Sequence, residues 1–294
     1  MPSFATRTEC RSTSTRPFST PSPAPHDSPG VSYQLGGVGW GAVSFEVAAD
    51  AYDRFMGRYS VQLAPQLADF GGVRTGQRVL DVGCGPGALT GELVRRVGGE
   101  AVTAVDPSAT FVAAAKARHS TVEVLRASAE HLPFDDGVFD AALAQLVVHF
   151  MADPVAGLRE MARVTRPGGV VAACVWDHAG GRSPLAAFWR AARELDSGVH
   201  DESELPGARE GHLRELLAEA GLSSVQETTI EATVEFSSFE EWWEPFTFGV
   251  GPAGAHAETL DDAARQRLAD RCRRLLGPPP FTVRSAAWTA RGLV

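Results

Sequence analysis

Residues 79–87, VLDVGCGPG, combine one acidic side chain with three closely spaced glycines. Asp81 lies at the end of a short apolar run, and Gly83, Gly85 and Gly87 follow it within six positions. Glycine in a packed element costs backbone entropy, so this density indicates a sharp turn or a close approach of a ligand to the backbone. A carboxylate beside the loop would repel a diphosphate but would suit a ligand that carries an ammonium or a sulfonium.

Other polar residues follow later apolar runs of the chain. Asp106 ends VTAVD about 25 positions after Asp81, Ser128 follows VEVLRA, and Gln145 and His149 lie in FDAALAQLVVHF. Imidazole is the side chain best matched to proton transfer near neutral pH, so His149 is a candidate base for an acceptor that must lose a proton as it attacks. The alternative for His149 is a hydrogen bond to a backbone carbonyl that holds the loop.

Three further histidines show no pattern of partner residues. His119, His131 and His178 lie between periodic segments of the sequence. We expect them to be exposed loop residues.

The elements that must position these residues alternate between strands and helices. Apolar runs at residues 78–82 and 101–106, and in VEVLRA, FDAALAQ and VVAACVW, indicate five strands. The segments between them have helical spacing, with Ser108 and Asp153-Pro154 as helix-start signals. This alternation predicts an α/β fold with a parallel, doubly wound sheet, and ligands of such sheets bind at the carboxyl ends of the strands.

The glycine loop by itself allows two cofactor classes. Gly83-x-Gly85-x-x-Ala88 also fits a loose dinucleotide fingerprint, which is a weak signal without its structural context. Asp81 disfavours that interpretation, because pyrophosphate-binding loops usually follow an apolar strand end.

Residues 79–176 resemble the core of the class I S-adenosylmethionine-dependent methyltransferases, in particular the small-molecule subgroup that includes quinone-biosynthesis enzymes. Four ordered blocks carry the resemblance: VLDVGCGPG, VTAVDPS, ASAEHLPFDDGVFD and EMARVTRPGGVV. It implies a doubly wound, mostly parallel seven-stranded sheet, whose last two strands, here expected in residues 223–236 and 281–294, form an antiparallel pair at the edge. It also implies S-adenosylmethionine as cofactor.

The resemblance implies roles for individual residues of the loop and the strand ends. The loop glycines Gly83, Gly85 and Gly87 would allow close approach of the methionine and ribose portion. Asp81 would orient the loop amides or hold the cofactor ammonium, and Asp106 would accept the ribose hydroxyls.

The same resemblance extends to the adenine and methionine ends of the cofactor. Ser128 and Ala129 would border the adenine, although the family commonly has Asp where Ser128 stands. Gln145 would lie beside the methionine part, and Tyr52 and Arg58 would close over the cofactor, with Arg58 paired to its carboxylate.

Composition divides the chain into a tail and a domain. Residues 1–42 are rich in Ser, Thr, Pro and Gly, which predicts a disordered tail; a transit peptide and a translation start at Val43 are alternatives. Residues 43–294 would form the domain, with insertions at about 180–206 and 238–280 that we expect to cover the cofactor. Most of their aromatic residues should pack the inserted helices onto the sheet rather than line a pocket.

Charge and cysteine usage exclude several classes of protein. The net charge of −9 and a single lysine, Lys116, disfavour a nucleic-acid partner. The longest apolar runs are too short to span a bilayer. The four cysteines are widely separated, so we predict no metal and no disulfide framework, and a reducing cytoplasm.

The sequence therefore predicts methyl transfer from S-adenosylmethionine to a small molecule, with oxygen or carbon favoured as the acceptor atom. The alternatives are a nicotinamide-dependent oxidoreductase and a non-catalytic cofactor-binding protein. The identity of the acceptor and the oligomeric state are not predicted.

Overall fold

The computed structural model describes residues 52–294 of the chain. The predicted tail and the alternative start at Val43 lie outside the described residues. Within residues 52–294, no helix is long and apolar enough to cross a membrane.

Seven strands form one sheet in the order β3-β2-β1-β4-β5-β7-β6. The first five are parallel, whereas β7 runs antiparallel to both β5 and β6. The predicted fold class is therefore confirmed, including the antiparallel C-terminal pair. The strands are β1 Val79–Val82, β2 Val102–Asp106, β3 Glu123–Arg126, β4 Phe139–Gln145, β5 Thr165–Trp176, β6 Ser223–Phe236 and β7 Phe281–Leu293.

Helices connect the strands and form the two insertions. A π-helical turn, Asp53–Gly57, leads directly into the first α-helix. The helices are α1 Arg58–Phe70, α2 Ala88–Val97, α3 Ala109–Arg118, α4 Pro154–Val164, α5 Ala186–Leu195, α6 His212–Glu219, α7 Phe239–Trp243, α8 Gly251–Thr259 and α9 Asp262–Leu276. Shorter 3₁₀ turns occur at Gly99–Ala101, Val148–Phe150, Glu202–Glu204 and Glu244–Phe248.

Local capping explains where the helices after β2 and β4 begin. The Ser108 hydroxyl accepts the backbone N–H of Phe111 at 3.3 Å, and the Asp153 carboxylate accepts that of Ala156 at 2.9 Å. Each bond satisfies an N–H group that has no partner within its helix. Both predicted caps are confirmed, and they place the intervening loops at the carboxyl edge of the sheet.

Two glutamines of α1 bind the backbone of the edge strand β6. Gln62 donates to the Thr233 carbonyl at 3.1 Å and accepts the Thr233 N–H at 3.0 Å. Gln66 makes the same pair of bonds with Glu231, at 2.7 and 3.2 Å. The side-chain amides thus satisfy backbone groups that an edge strand otherwise leaves unpaired, and they fix α1 against the sheet.

The glutamine contacts predict a specific pattern of amide exchange. In the double variant Gln62→Leu/Gln66→Leu, the N–H groups of Glu231 and Thr233 lose their acceptors, so their hydrogen exchange should accelerate. Residue-resolved exchange by NMR measures this, with the β6 amides that pair with β7 as internal control. Equal protection of Glu231 and Thr233 in the variant and the parent would contradict the assignment.

The insertions pack on each other through a cluster of aromatic rings. Phe188 of α5 is fully buried and stacks on Phe246, with ring centroids 4.7 Å apart and planes 5° apart. Trp243 stacks more loosely on Phe188, and Trp242 lies against Phe246. These rings therefore join the inserted segments to each other, whereas the sequence predicted that they pack the inserted helices onto the sheet.

Candidate active site

A cleft with about 650 Å³ of empty space, part of it open to solvent, lies at the carboxyl ends of the parallel strands. It lies where the chain order of the strands reverses, with β1 between β2 and β4. Predicted site residues in its wall are Tyr52, Gly83, Gly85, Asp106, Ser128, Ala129 and Gln145. A smaller cavity of about 360 Å³ continues beneath the loop and reaches Asp81.

The glycine loop needs its glycines for different reasons. Gly83 has φ +70°, and a Cβ there would lie 2.4 Å from Val147, so a side chain would clash within the protein rather than with a ligand. Gly85 has φ +52°, and a Cβ there would enter open space in the cleft. Gly87 faces His119, not the cleft, and a Cβ at this position would lie 2.7 Å from the imidazole ring. Only Gly85 therefore leaves space directly for a ligand.

Asp81 is completely buried beneath this loop and is only half satisfied. Its Oδ2 accepts the Thr90 hydroxyl at 2.6 Å, whereas Oδ1 has no hydrogen-bond partner among the described residues. Burial raises the pKa of the carboxyl to about 7. A buried acceptor without a partner is costly, so Asp81 is arranged to receive a donor from a ligand or from water.

Asp106 connects the end of β2 to the glycine loop. Its carboxylate accepts the Gly85 N–H at 2.9 Å and the Ser108 N–H at 2.8 Å, and the residue lines the cleft. A carboxylate can accept about four hydrogen bonds, so Asp106 can orient the loop and still accept hydroxyl groups.

The opposite wall comes from the loop after β3 and the end of β4. Ser128 and Ala129 lie there, and the neighbouring Glu130 accepts the Ala152 N–H at 2.9 Å. Gln145 donates to the Ser60 carbonyl at 3.1 Å, while its Oε1 is buried and has no hydrogen-bond partner among residues 52–294. Gln145 and Asp81 line the same small cavity beneath the loop.

Tyr52 and Arg58 differ in their relation to the cleft. Tyr52 lies edge-on to Phe111, with ring centroids 5.3 Å apart, and lines the cleft. Arg58 pairs with Glu241 at 2.8 Å, donates to the Glu235 carbonyl and lies over the Phe236 ring. It is absent from the cleft wall, and its bonds connect α1 to the second insertion.

A second chamber of about 430 Å³ adjoins the cleft and shares Tyr52, Leu146 and Phe150 with it. His149, His178 and Glu202 line it together with Tyr52 and mostly apolar side chains. The expectation that His178 is an exposed loop residue is wrong, because its exposed fraction is 9%. Sequence reasoning also missed Glu202, which no motif marks.

Burial disfavours the charged form of all three chamber residues. Burial lowers the pKa of His149 well below its usual value and that of His178 to about 4. Burial raises the pKa of Glu202 to about 8, and its carboxyl accepts the Trp189 indole N–H at 2.7 Å. At neutral pH both imidazoles are therefore uncharged.

The electrostatics of the cleft decide which ligands suit it. Across residues 52–294, the walls of the cleft and of the cavity beneath the loop contain Asp53, Asp81, Asp106 and Glu130 but neither lysine nor arginine. Asp53 is paired with Arg118 at 2.5 Å, and the other three acids would repel a diphosphate and attract a cationic ligand. No group of three or more metal-binding side chains is placed to hold an ion within this part of the chain.

Comparison with known proteins agrees with this geometry. Residues 80–173 match the family described as "Methyltransferase domain". A malonyl-[acyl-carrier protein] O-methyltransferase of Erwinia billingiae is 38% identical over 130 residues, covering 44% of this chain and 51% of the relative. An uncharacterized methyltransferase of Mycobacterium tuberculosis is 39% identical over 128 residues, covering 44% and 50%. The chain thus spans about half the length of these curated relatives.

The fold has counterparts among solved structures. A SAM-dependent methyltransferase from Thermotoga maritima superimposes with a TM-score of 0.51 at 18% identity, covering 85% of this chain and 97% of that one. This similarity extends over most of the sheet and its helices and concerns the fold.

Proposed function

We propose that this protein, in which residues 80–173 form a domain of the class I S-adenosylmethionine-dependent methyltransferase family, transfers a methyl group from that cofactor to a small-molecule acceptor. The observation that carries the proposal is Oδ1 of the buried Asp81, which has no partner among residues 52–294 and lies beneath a glycine loop. The described part of the adjoining cleft wall contains no basic side chain. An ammonium-bearing ligand would donate the hydrogen bond that Oδ1 of Asp81 lacks and would pair with its negative charge.

The residues of the site fit each chemical group of the proposed cofactor. Asp81 and Gln145 would accept from its ammonium, and Asp106 would accept from the ribose hydroxyls. Ser128 and Ala129 would border the adenine, opposite the apolar wall at Pro107 and Phe111. When bound, S-adenosylmethionine supplies a methyl group made electrophilic by its positively charged sulfur.

The chain itself contributes position, exclusion of water and a proton acceptor. An acceptor in the second chamber would lie next to the cofactor cleft, and correct alignment by itself can contribute about 7 to 11 kcal/mol. His149 lines that chamber and is proposed as the base. Oxygen or carbon is the proposed acceptor atom. Two relatives of this chain are O-methyltransferases, which supports oxygen.

Calorimetry distinguishes this proposal from its alternatives. The protein should bind S-adenosylhomocysteine at a 1:1 ratio and should not bind NADH. Binding of NADH instead would overturn the proposal in favour of an oxidoreductase. Cofactor binding without methyl transfer to any member of a metabolite extract, tested with methyl-labelled cofactor, would favour the non-catalytic alternative.

Asp106→Ala should weaken S-adenosylhomocysteine binding by about 1.5 to 3 kcal/mol, because two ribose hydroxyls lose their acceptor. Calorimetry measures the change, and thermal unfolding checks that the variant is folded. Asp136→Ala, which removes an acid exposed on the surface, is the matched control. Unchanged affinity in folded Asp106→Ala would remove this residue from the site.

The affinity for S-adenosylhomocysteine should depend on the ionisation of Asp81. Below its pKa of about 7 the carboxyl is neutral, and above it the carboxylate pairs with the ligand ammonium. The affinity should therefore rise between pH 6 and pH 8, with a slope approaching about tenfold per unit on the acidic side. In Asp81→Asn this rise should disappear; the same slope in both proteins would show that another group titrates.

A further inference from the structure

The second chamber, lined by His149, His178 and Glu202, points to a chemical class of acceptor. We propose that it takes a neutral, largely apolar molecule through a single hydroxyl group, which the histidine pair holds and deprotonates. This inference rests on the proposed function and specifies the substrate class of the same site.

The histidine pair is a consequence of strand register. In the parallel pairing of β4 with β5, Gln145 lies opposite Cys174. His149 follows Gln145 by four residues, and His178 follows Cys174 by four residues. The two segments that leave the sheet after these strands therefore run side by side. The two imidazole centroids are 5.9 Å apart, in a chamber to which the adjoining cleft gives access.

The ring nitrogens of this pair are unsatisfied within the protein. Nδ1 of His149 and both ring nitrogens of His178 are buried without a hydrogen-bond partner among residues 52–294. Buried polar atoms in this state are costly, and a hydrogen bond from a bound hydroxyl or water would remove that cost. A neutral imidazole both donates and accepts, so the pair can bind a hydroxyl and then take its proton.

The remaining wall excludes charged acceptors. Its other members are mostly apolar, among them Phe55, Met56, Trp176, Leu185 and Val250, and the described part of the wall contains no lysine or arginine. A carboxylate would enter without a cation to pair with, and Glu202, whose raised pKa of about 8 keeps it mostly protonated at neutral pH, would not supply a charge to pair with an ammonium. Several curated relatives are named for a malonyl group, which carries such a carboxylate. We therefore infer that this chain uses a different acceptor.

The transfer balances without an added reagent. The hydroxyl proton passes to a histidine nitrogen, and the oxygen lone pair forms the new bond to the methyl carbon. The electron pair of the broken carbon–sulfur bond stays on sulfur, which becomes a neutral thioether. The proton then leaves the imidazole for solvent.

A matched set of probes on one ring system tests the inference. The set consists of 2-naphthol, 2-naphthoic acid and 2-naphthylmethylamine, with malonyl-coenzyme A as a carboxylate of the kind that the relatives' name implies. Binding to the complex of the full chain with S-adenosylhomocysteine is measured by calorimetry, and turnover with methyl-labelled cofactor. We expect 2-naphthol to bind and to be methylated on oxygen, and the three charged probes to bind at least about tenfold more weakly.

Variants connect the result to the chamber. His178→Leu should weaken 2-naphthol binding by about tenfold or more while the affinity for S-adenosylhomocysteine is retained. His200→Leu, which alters an exposed histidine, should change neither.

Each adverse result has a distinct meaning. Failure of 2-naphthol to bind the complex, binding of a charged probe as tight as that of 2-naphthol, or full retention of 2-naphthol binding in His178→Leu would overturn the inference. Failure of the parent protein to bind S-adenosylhomocysteine would overturn the proposed function itself.

Discussion

Replacing His149 by alanine is expected to lower the rate of methyl transfer by about 10²–10⁴-fold while the affinity for S-adenosylhomocysteine stays unchanged. The reason is location: His149 lines the second chamber, which is proposed for the acceptor, and is absent from the wall of the cleft proposed for the cofactor. Its pKa is held well below the usual value by burial and by the neighbouring His178, so the ring is in the uncharged form that a base requires, although the same burial makes it a weaker base than free imidazole.

Single-turnover kinetics and calorimetry together decide the role of His149. His200→Ala, at an exposed histidine, is the matched control and should behave like the parent. If turnover and cofactor binding both survive in His149→Ala, the residue is structural. If both fall together, it shapes the turn after β4. A loss confined to the chemical step supports the base.

Phe188→Ala is expected to lower the free energy of unfolding by about 3–5 kcal/mol, the usual cost of emptying a fully buried phenylalanine site. The ring stacks on Phe246 and lies edge-on to Trp189, with centroids 5.1 Å apart. It therefore joins α5 of the first insertion to the 3₁₀ turn of the second. Urea unfolding at equilibrium measures the change.

Two comparisons isolate the cause of that loss. Phe188→Leu keeps most of the volume and should cost much less than alanine. Phe248→Ala removes a ring that is only half-buried and should also cost less. A loss below about 1 kcal/mol for Phe188→Ala would mean that the inserted helices do not depend on this cluster.

The C-terminal strand pair shows what resemblance to a protein family predicts beyond the local apolar periodicity of the sequence. Periodicity predicts strands in residues 223–236 and 281–294 but does not tell how they pair. The antiparallel pairing of these two strands at the sheet edge was expected only because the family has it, and the structure confirms it. The position of β7 between β5 and β6 comes from the structure alone. Pairing between distant segments depends on their packing faces, which no local pattern specifies.

Arg58 and His178 show where single-sequence reasoning fails at a site. Arg58 follows Tyr52 by six residues, yet its guanidinium extends to Glu241, 183 positions away in sequence. His178 follows a strand like any loop residue, but the two insertions and the neighbouring strand enclose it. Both outcomes depend on long-range contacts that neighbouring residues in sequence do not encode.

The amino-acid sequence by itself determined the alternation of strands and helices, the glycine loop and the acids at the ends of β1 and β2. These follow from local apolar periodicity, helix capping and the backbone freedom of glycine, which act over a few residues. Only the tertiary structure decided that Asp81 keeps an unpartnered oxygen, that Gly83 faces Val147, and that His149, His178 and Glu202 share one chamber. Burial and partner choice depend on which distant surfaces meet, because desolvation and hydrogen bonding are set by the complete packed environment of a group.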